Sequence, residues 1–300
     1  MKKFILLILC ALCLTGCFKR DTMEDITIYT TIYPIEYITK ALYGEYGEVN
    51  SIYPNGVNIQ IEPCEEDCNT ELYTLTEKQL TDYSDNDLFI FNSLLHEGSY
   101  IKPMFNNNKN LKIINATDNL TKDDFYGLEE IWLDPSRLLT VARNIKNGFN
   151  EYLTNYYLKQ DIDNNFEVLK EELDKLGSKL ADLTKNADNK ILVTNSDVFN
   201  YLGKDKYGLT VYSLEETDNL TEKTISDVKK LINDGKIKYI YIKQHEEANE
   251  TIKKLIKDTD VELIELHMIT NLTETERSNK KDYFTIMNET IELLKKELYN

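Results

Sequence analysis

Short apolar or β-branched runs alternate with stretches of helical spacing, and this alternation constrains the fold more than any other feature of the chain. Residues 26–30, 50–53, 87–91 and 111–115 read as strands, with helical patterns at 34–43 and 76–83 between them. Strands joined through helices imply parallel pairing, because a parallel neighbour needs a crossover and the crossover covers the sheet face. The plan then recurs. Strand-like runs at 190–194, 209–212, 238–242 and 261–266 interleave with helical patterns at 221–233, 247–257 and 282–299. The expected class is α/β, with two lobes of parallel-type sheet flanked by helices.

Between the blocks, apolar residues keep helical spacing from Leu138, Val141, Ile145, Phe149 and Leu153 to Phe166, Leu169, Leu173, Leu176 and Leu180. Asp134 is placed to cap this stretch and Pro135 suits its first turn. The expected organisation is a leader at 1–16, a first lobe at 17–133, a long connecting helix at 134–186 and a second lobe at 187–300. A break in that helix is expected near Gln160 to Asp163. The word TDNLT occurs at 117–121 and again at 217–221. Asp, Asn and Thr bond locally to backbone amides, so it reads as shared turn and helix-start chemistry rather than a repeat.

The leader has Lys2 and Lys3, then an apolar stretch from Phe4 to Leu14, then Thr15 and Gly16 before Cys17. A positive start, a short apolar core and small residues form a secretory signal, too short to be a comfortable permanent span. Leu14-Thr15-Gly16-Cys17 resembles the lipobox of bacterial lipoproteins, which implies cleavage before Cys17 and a lipid on its sulfur. The expected location is the outer face of the bacterial cytoplasmic membrane, lipid-anchored.

Charge narrows the partners. The formal net charge is −17 and becomes −19 once Lys2 and Lys3 leave with the leader. So acidic a surface repels nucleic acid and anionic lipid and attracts cations. Of the 5 cysteines, Cys10 and Cys13 also leave, and Cys64 and Cys68 remain besides the anchor. An exterior location permits a bridge between these two; an acidic loop with two thiolates is the other reading of Cys64-Glu65-Glu66-Asp67-Cys68.

Five stretches carry a specific resemblance: ITIYTTIYPIEYITKALYG, SDNDLFIFNS, EEIWLDPSRLLTVARNIKNGF, ILVTNSDVFNYL and KDYFTIMNETIELLKKEL. In order, they resemble the signposts of the metal-binding solute receptors of ABC importers, the zinc and manganese lipoprotein group. The resemblance implies two α/β lobes on a long backbone helix, a divalent cation (Mn or Zn) carried between them, and delivery to a membrane permease driven by an ATPase. Its ligand positions fall here on Glu71, Glu130, Ser196 with Asp197 beside it, and His267. All four positions differ from the family's usual residue type. Two carboxylates, a hydroxyl or third carboxylate and one imidazole form an oxygen-rich set, which suits harder cations better than a nitrogen-rich zinc site. The other reading is that Glu71 and Glu130 are solvated surface acids and His267 a loop residue, in a surface interaction or adhesion protein on the same scaffold.

Enzymatic motifs are missing from the sequence. In His245-Glu246-Glu247-Ala248-Asn249, Asn stands where a zinc-hydrolase helix needs its second His, and His96-Glu97 reads as a surface pair. Asp161 to Asn165 imitates a calcium loop, but Phe166 occupies the position that needs Gly. The expectation is a binding protein rather than an enzyme.

Overall fold

The computed structural model describes residues 23–59, 61, 73–204 and 206–300. Cys17, Cys64, Cys68 and Glu71 lie outside the described residues. Two four-stranded sheets, both parallel, organise them. The first comprises β1 (Ile26–Thr30), β2 (Gly47–Ser51), β3 (Leu88–Phe91) and β4 (Lys112–Asn115), in the order β2-β1-β3-β4. The second comprises β5 (Ile191–Thr194), β6 (Thr210–Ser213), β7 (Tyr239–Lys243) and β8 (Glu262–Leu266), in the order β6-β5-β7-β8. Both sheets therefore have one topology, and central strands such as β3 are buried along their whole length, as helices on both faces require.

The expected strands are present, with one displacement. β2 ends at Ser51 instead of covering 50–53, because Gly47 to Ser51 pair in register with Ile26 to Thr30. Ile52 and Tyr53, which made the stretch look strand-like, are buried beyond its end.

The helices are α1 (Tyr33–Tyr43), α2 (Glu77–Ser84), α3 (Ile101–Asn107), α4 (Glu130–Leu133), α5 (Pro135–Tyr152), α6 (Tyr156–Lys185), α7 (Glu222–Asn233), α8 (Glu250–Ile256), α9 (Glu274–Ser278) and α10 (Tyr283–Leu298). The connecting stretch is two helices. Its interruption lies at Leu153 to Asn155, and Gln160 to Asp163 are inside α6. Asp134 caps α5 through Ser136 N at 2.9 Å, and Asn155 caps α6 through Tyr157 N at 2.9 Å. A second N-cap is a local reason for the chain to restart there.

Helix α6 touches both lobes. Asn165 Nδ2 donates to the Leu42 carbonyl of α1 at 2.9 Å, and Lys179 Nζ donates to Asn288 Oδ1 of α10 at 2.9 Å. One apolar core takes in residues of both sheets, from Ile28 and Phe89 to Leu192 and Leu266, with the buried stripe of α6 running through it. A smaller core under α7 and α8 gathers Val193, Leu214, Val228, Ile240 and Ile252. Among the described residues no helix is long and apolar enough to cross a membrane.

Candidate functional site

In open parallel sheets, the loops beyond the carboxyl ends of the strands form the natural ligand crevice. Here these loops meet along a seam between the lobes. The segment after β8 is strapped to the first lobe: Tyr33 N donates to Thr270 O at 2.9 Å, Gly56 N to Leu272 O at 2.9 Å, and Asn271 Nδ2 to Pro54 O at 2.8 Å. Trp132 Nε1 donates to Met268 O at 2.7 Å, and Tyr283 OH to Trp132 O at 2.7 Å. Arg277 of α9 grips Glu36 of α1 with both terminal nitrogens, each at 2.9 Å.

Glu130 opens α4 and is fully buried. Its Oε2 accepts from Tyr126 N at 3.1 Å, and its Oε1 accepts from the Lys204 ammonium group, with Arg137 Nε 3.9 Å away. A solvated surface acid is therefore the wrong description of it. Charge-assisted bonds to a cation are what a desolvated carboxylate needs. Lys204 follows the 3-10 turn Asp197–Gly203 beyond β5, and its ammonium also lies 5.0 Å from the centre of the Tyr126 ring.

Glu129, next in the chain, is paired in the same way. Its Oε1 accepts from Lys243 Nζ at 3.1 Å, across from the end of β7. Lys243 Nζ also meets Glu246 Oε1 at 3.0 Å. Asn195 closes this ring, donating to Glu246 Oε2 at 2.8 Å and accepting from Lys243 N at 3.0 Å. Burial alone would depress the Lys243 pKa, but Glu129 and Glu246 outweigh it and raise the ammonium above its ordinary value.

The remaining candidates have partners of their own. Ser196 is buried and its Oγ donates to Glu215 Oε2 at 3.1 Å, while the Asp197 backbone N–H donates to the same oxygen. Burial, with Asp197 nearby, raises the Glu215 carboxyl above the usual range despite these bonds. His267 Nδ1 accepts from Ile269 N at 2.8 Å, which assigns the ring proton to Nε2, 3.4 Å from Glu276 Oε1. Burial lowers the His267 pKa, against the pull of Glu276, so the ring is neutral near pH 7.

The structure thus brings Glu130 and the His267 loop to one seam but aims their side chains at different partners. Among the described residues, no group of three or more His, Cys, Asp or Glu side chains is arranged to hold a metal ion. His96-Glu97 also needs correction: His96 is exposed, but Glu97 is 1% exposed, under the first sheet's carboxyl edge. Its carboxyl accepts from Asn92 N at 3.2 Å and Tyr53 OH at 3.3 Å, and burial pushes its pKa up to about 8. Sequence reasoning missed Lys204 and Lys243 because a lysine beside a loop looks like any solvated lysine. The Glu129-Glu130 doublet before Trp132 was the only visible trace of the cluster.

The family model for zinc-uptake complex component A, periplasmic, ZnuA, matches residues 28–297. The zinc-binding lipoprotein AdcA of Streptococcus pneumoniae is 25% identical over 321 aligned positions, covering 98% of this chain and 61% of that protein. The chain therefore spans about three-fifths of the length of that relative. The high-affinity zinc uptake system protein ZnuA of Bacillus subtilis is 24% identical, covering 92% of this chain and 88% of that one. Among solved structures, the Zn(II)-bound ZnuA-like domain of Streptococcus pneumoniae AdcA superposes with a TM-score of 0.69 at 23% identity, over 92% of this chain and 100% of that one, a likeness of fold.

Proposed function

The chain belongs to the ZnuA family of zinc-uptake complex component A proteins, and from that premise we infer that it is the extracytoplasmic solute-binding component of an ABC importer. Its cargo is a divalent metal ion, zinc or manganese, captured at the seam between the lobes and passed to a permease powered by an ATPase. The observation that supports this most is the match of the family model from residue 28 to 297, which takes in both sheets and the helices between them. A lipid on Cys17 would keep the receptor beside the permease it feeds, with residues 17–133 and 187–300 as lobes joined through 134–186. An adhesive role on the same scaffold has no better support.

The candidate ligands remain Glu71, Glu130, Ser196 or Asp197, and His267. Assembling them requires rearrangement at the side chains described above. Glu130 has to release Lys204, and His267 has to free a lone pair, either by breaking the bond from Ile269 N to Nδ1 or by moving its proton from Nε2 to Nδ1, since a metal binds the lone pair of a neutral ring nitrogen. Zinc, which favours nitrogen, would depend on His267; manganese would rely on the carboxylates.

Elemental analysis of protein purified without chelator, with calorimetric titration of metal-stripped protein by Zn²⁺ and Mn²⁺, tests the reading. One ion per chain is expected, together with slowed growth of a deletion strain in metal-poor medium. Absence of both bound metal and a growth defect would refute it.

A further inference from the structure

Two carboxylates of the first lobe are bonded to two ammonium groups of the second at the seam where cargo is expected. Glu130 is fully buried and meets Lys204; Glu129 is 5% exposed and meets Lys243. Each lysine supplies at that seam the positive charge that a cation would otherwise bring. We propose that Lys204 and Lys243 are specificity-determining residues of this receptor: their ammonium groups occupy the seam's carboxylates in the empty protein, and a divalent cation enters only by displacing Lys204 from Glu130.

This proposal rests on the import reading and deepens it. The two lysines differ in what they can do. The Lys243 side chain is 21% exposed and is held by Glu246 as well as Glu129, inside the ring closed by Asn195. It is a fixture. The Lys204 side chain is 34% exposed and, among the described residues, bonded to Glu130 alone, with the Tyr126 ring beside its ammonium. Swinging it outward replaces one buried pair with a hydrated ammonium, for which lysine is well suited.

The exchange makes the site selective. A cation that holds its own water tightly gains too little at Glu130 to displace an ammonium already bonded there. A cation that sheds its water more readily gains more there, so the competition favours zinc-like over magnesium-like cations. Expelling Lys204 also removes one positive charge as the ion brings two, which limits repulsion between the cargo and Lys243.

Calorimetric titration with Zn²⁺ and Mg²⁺ of the mature chain, Lys204→Met and Lys204→Arg tests the exchange. Lys204→Met is expected to bind Zn²⁺ at least tenfold more tightly than the unaltered chain and to gain measurable Mg²⁺ binding, whereas Lys204→Arg gains neither. Equal Zn²⁺ affinity in Lys204→Met and the unaltered chain would overturn the proposal, as would absence of Zn²⁺ binding to both. Should Lys204→Met not fold, the unaltered chain labelled with ¹⁵N-lysine gives the answer. The Lys204 ammonium resonance, assigned with Lys204→Arg, is expected to shift and exchange faster with water on saturation with Zn²⁺. An unmoved resonance would overturn the exchange. Failure here leaves the import reading to the growth of the deletion strain, which does not depend on how the ion enters.

Discussion

Trp132 and Met268 are joined by a 2.7 Å hydrogen bond from the indole nitrogen to the carbonyl oxygen, although 136 residues separate them in the chain. The bond brings the residue two places after Glu130 and the residue after His267 to the same point of the seam. Glu130 nevertheless faces Lys204, and His267 faces Glu276. Backbones that converge do not oblige their side chains to do so, and the consequences of this pairing are measurable.

The Glu130 pair should be asymmetric. Lys204→Met leaves a buried carboxylate without its main cation and is expected to lose about 2–4 kcal/mol in urea unfolding. Glu130→Gln frees a lysine that reaches water and is expected to lose only about 1 kcal/mol. The double variant should be more stable than Lys204→Met alone. Equal losses in the two single variants would show that the pair contributes little.

Stability should fall as pH rises from about 4.5 to about 8. The Glu97 carboxyl has its pKa raised by burial from 4.5 to about 8, so the folded state holds a proton that the unfolded chain releases. That contribution is complete below about pH 4.5 and is lost as pH rises through 8, at about 1.4 kcal/mol per pH unit between those values. Glu97→Gln should remove this slope in urea titrations at pH 5, 6.5 and 8. An unchanged slope would place the titration elsewhere.

Arg277 should not be replaceable by lysine. Its two terminal nitrogens hold the two oxygens of Glu36, whose side chain is 3% exposed, and a single ammonium cannot reproduce that fork. Arg277→Lys is expected to destabilise by about 1–2 kcal/mol and Arg277→Ala by about 3 kcal/mol. Thermal melts of the two variants decide it, and coincident melting of Arg277→Lys with the unaltered chain would contradict the fork.

Gly148 should resist alanine, although it lies inside α5, where alanine normally stabilises a helix. A Cβ there would stand 2.6 Å from Ile114 Cγ2 and 2.7 Å from Ile114 Cγ1 of β4. Gly148→Ala is therefore expected to destabilise by about 1–3 kcal/mol, and the double variant with Ile114→Ala, which lacks both of those carbons, should lose less than the sum of the two single losses. A stabilised single variant would mean that the α5–β4 contact yields easily.

Most of the architecture was legible because it rests on local pattern. Leu88 to Phe91 announce a buried strand by composition, and the stripe from Leu138 to Leu180 announces a helix face, all of it buried in the fold. The interruption before α6 was misplaced because Asp161 and Asp163 look like breakers, whereas Asn155, a good N-cap, was passed over. β2 was shifted because burial of Ile52 and Tyr53 mimics strand patterning. The site was legible only on one side. Glu130 follows from its place before Trp132, but Lys204 lies 74 residues away and Tyr53 lies 44 from Glu97. Those partners are chosen by the tertiary fold, and the intervening sequence carries no periodicity that points to them.

The apolar core common to both sheets has a mechanical consequence. Prising the lobes apart like jaws would wet Leu192, Leu266 and the inner stripe of α6 together, a penalty far beyond what one bound ion could compensate. In the receptor proposed above, whatever tells a filled molecule from an empty one must therefore be written in small motions at the rim, where a few side chains turn over an unmoving keel.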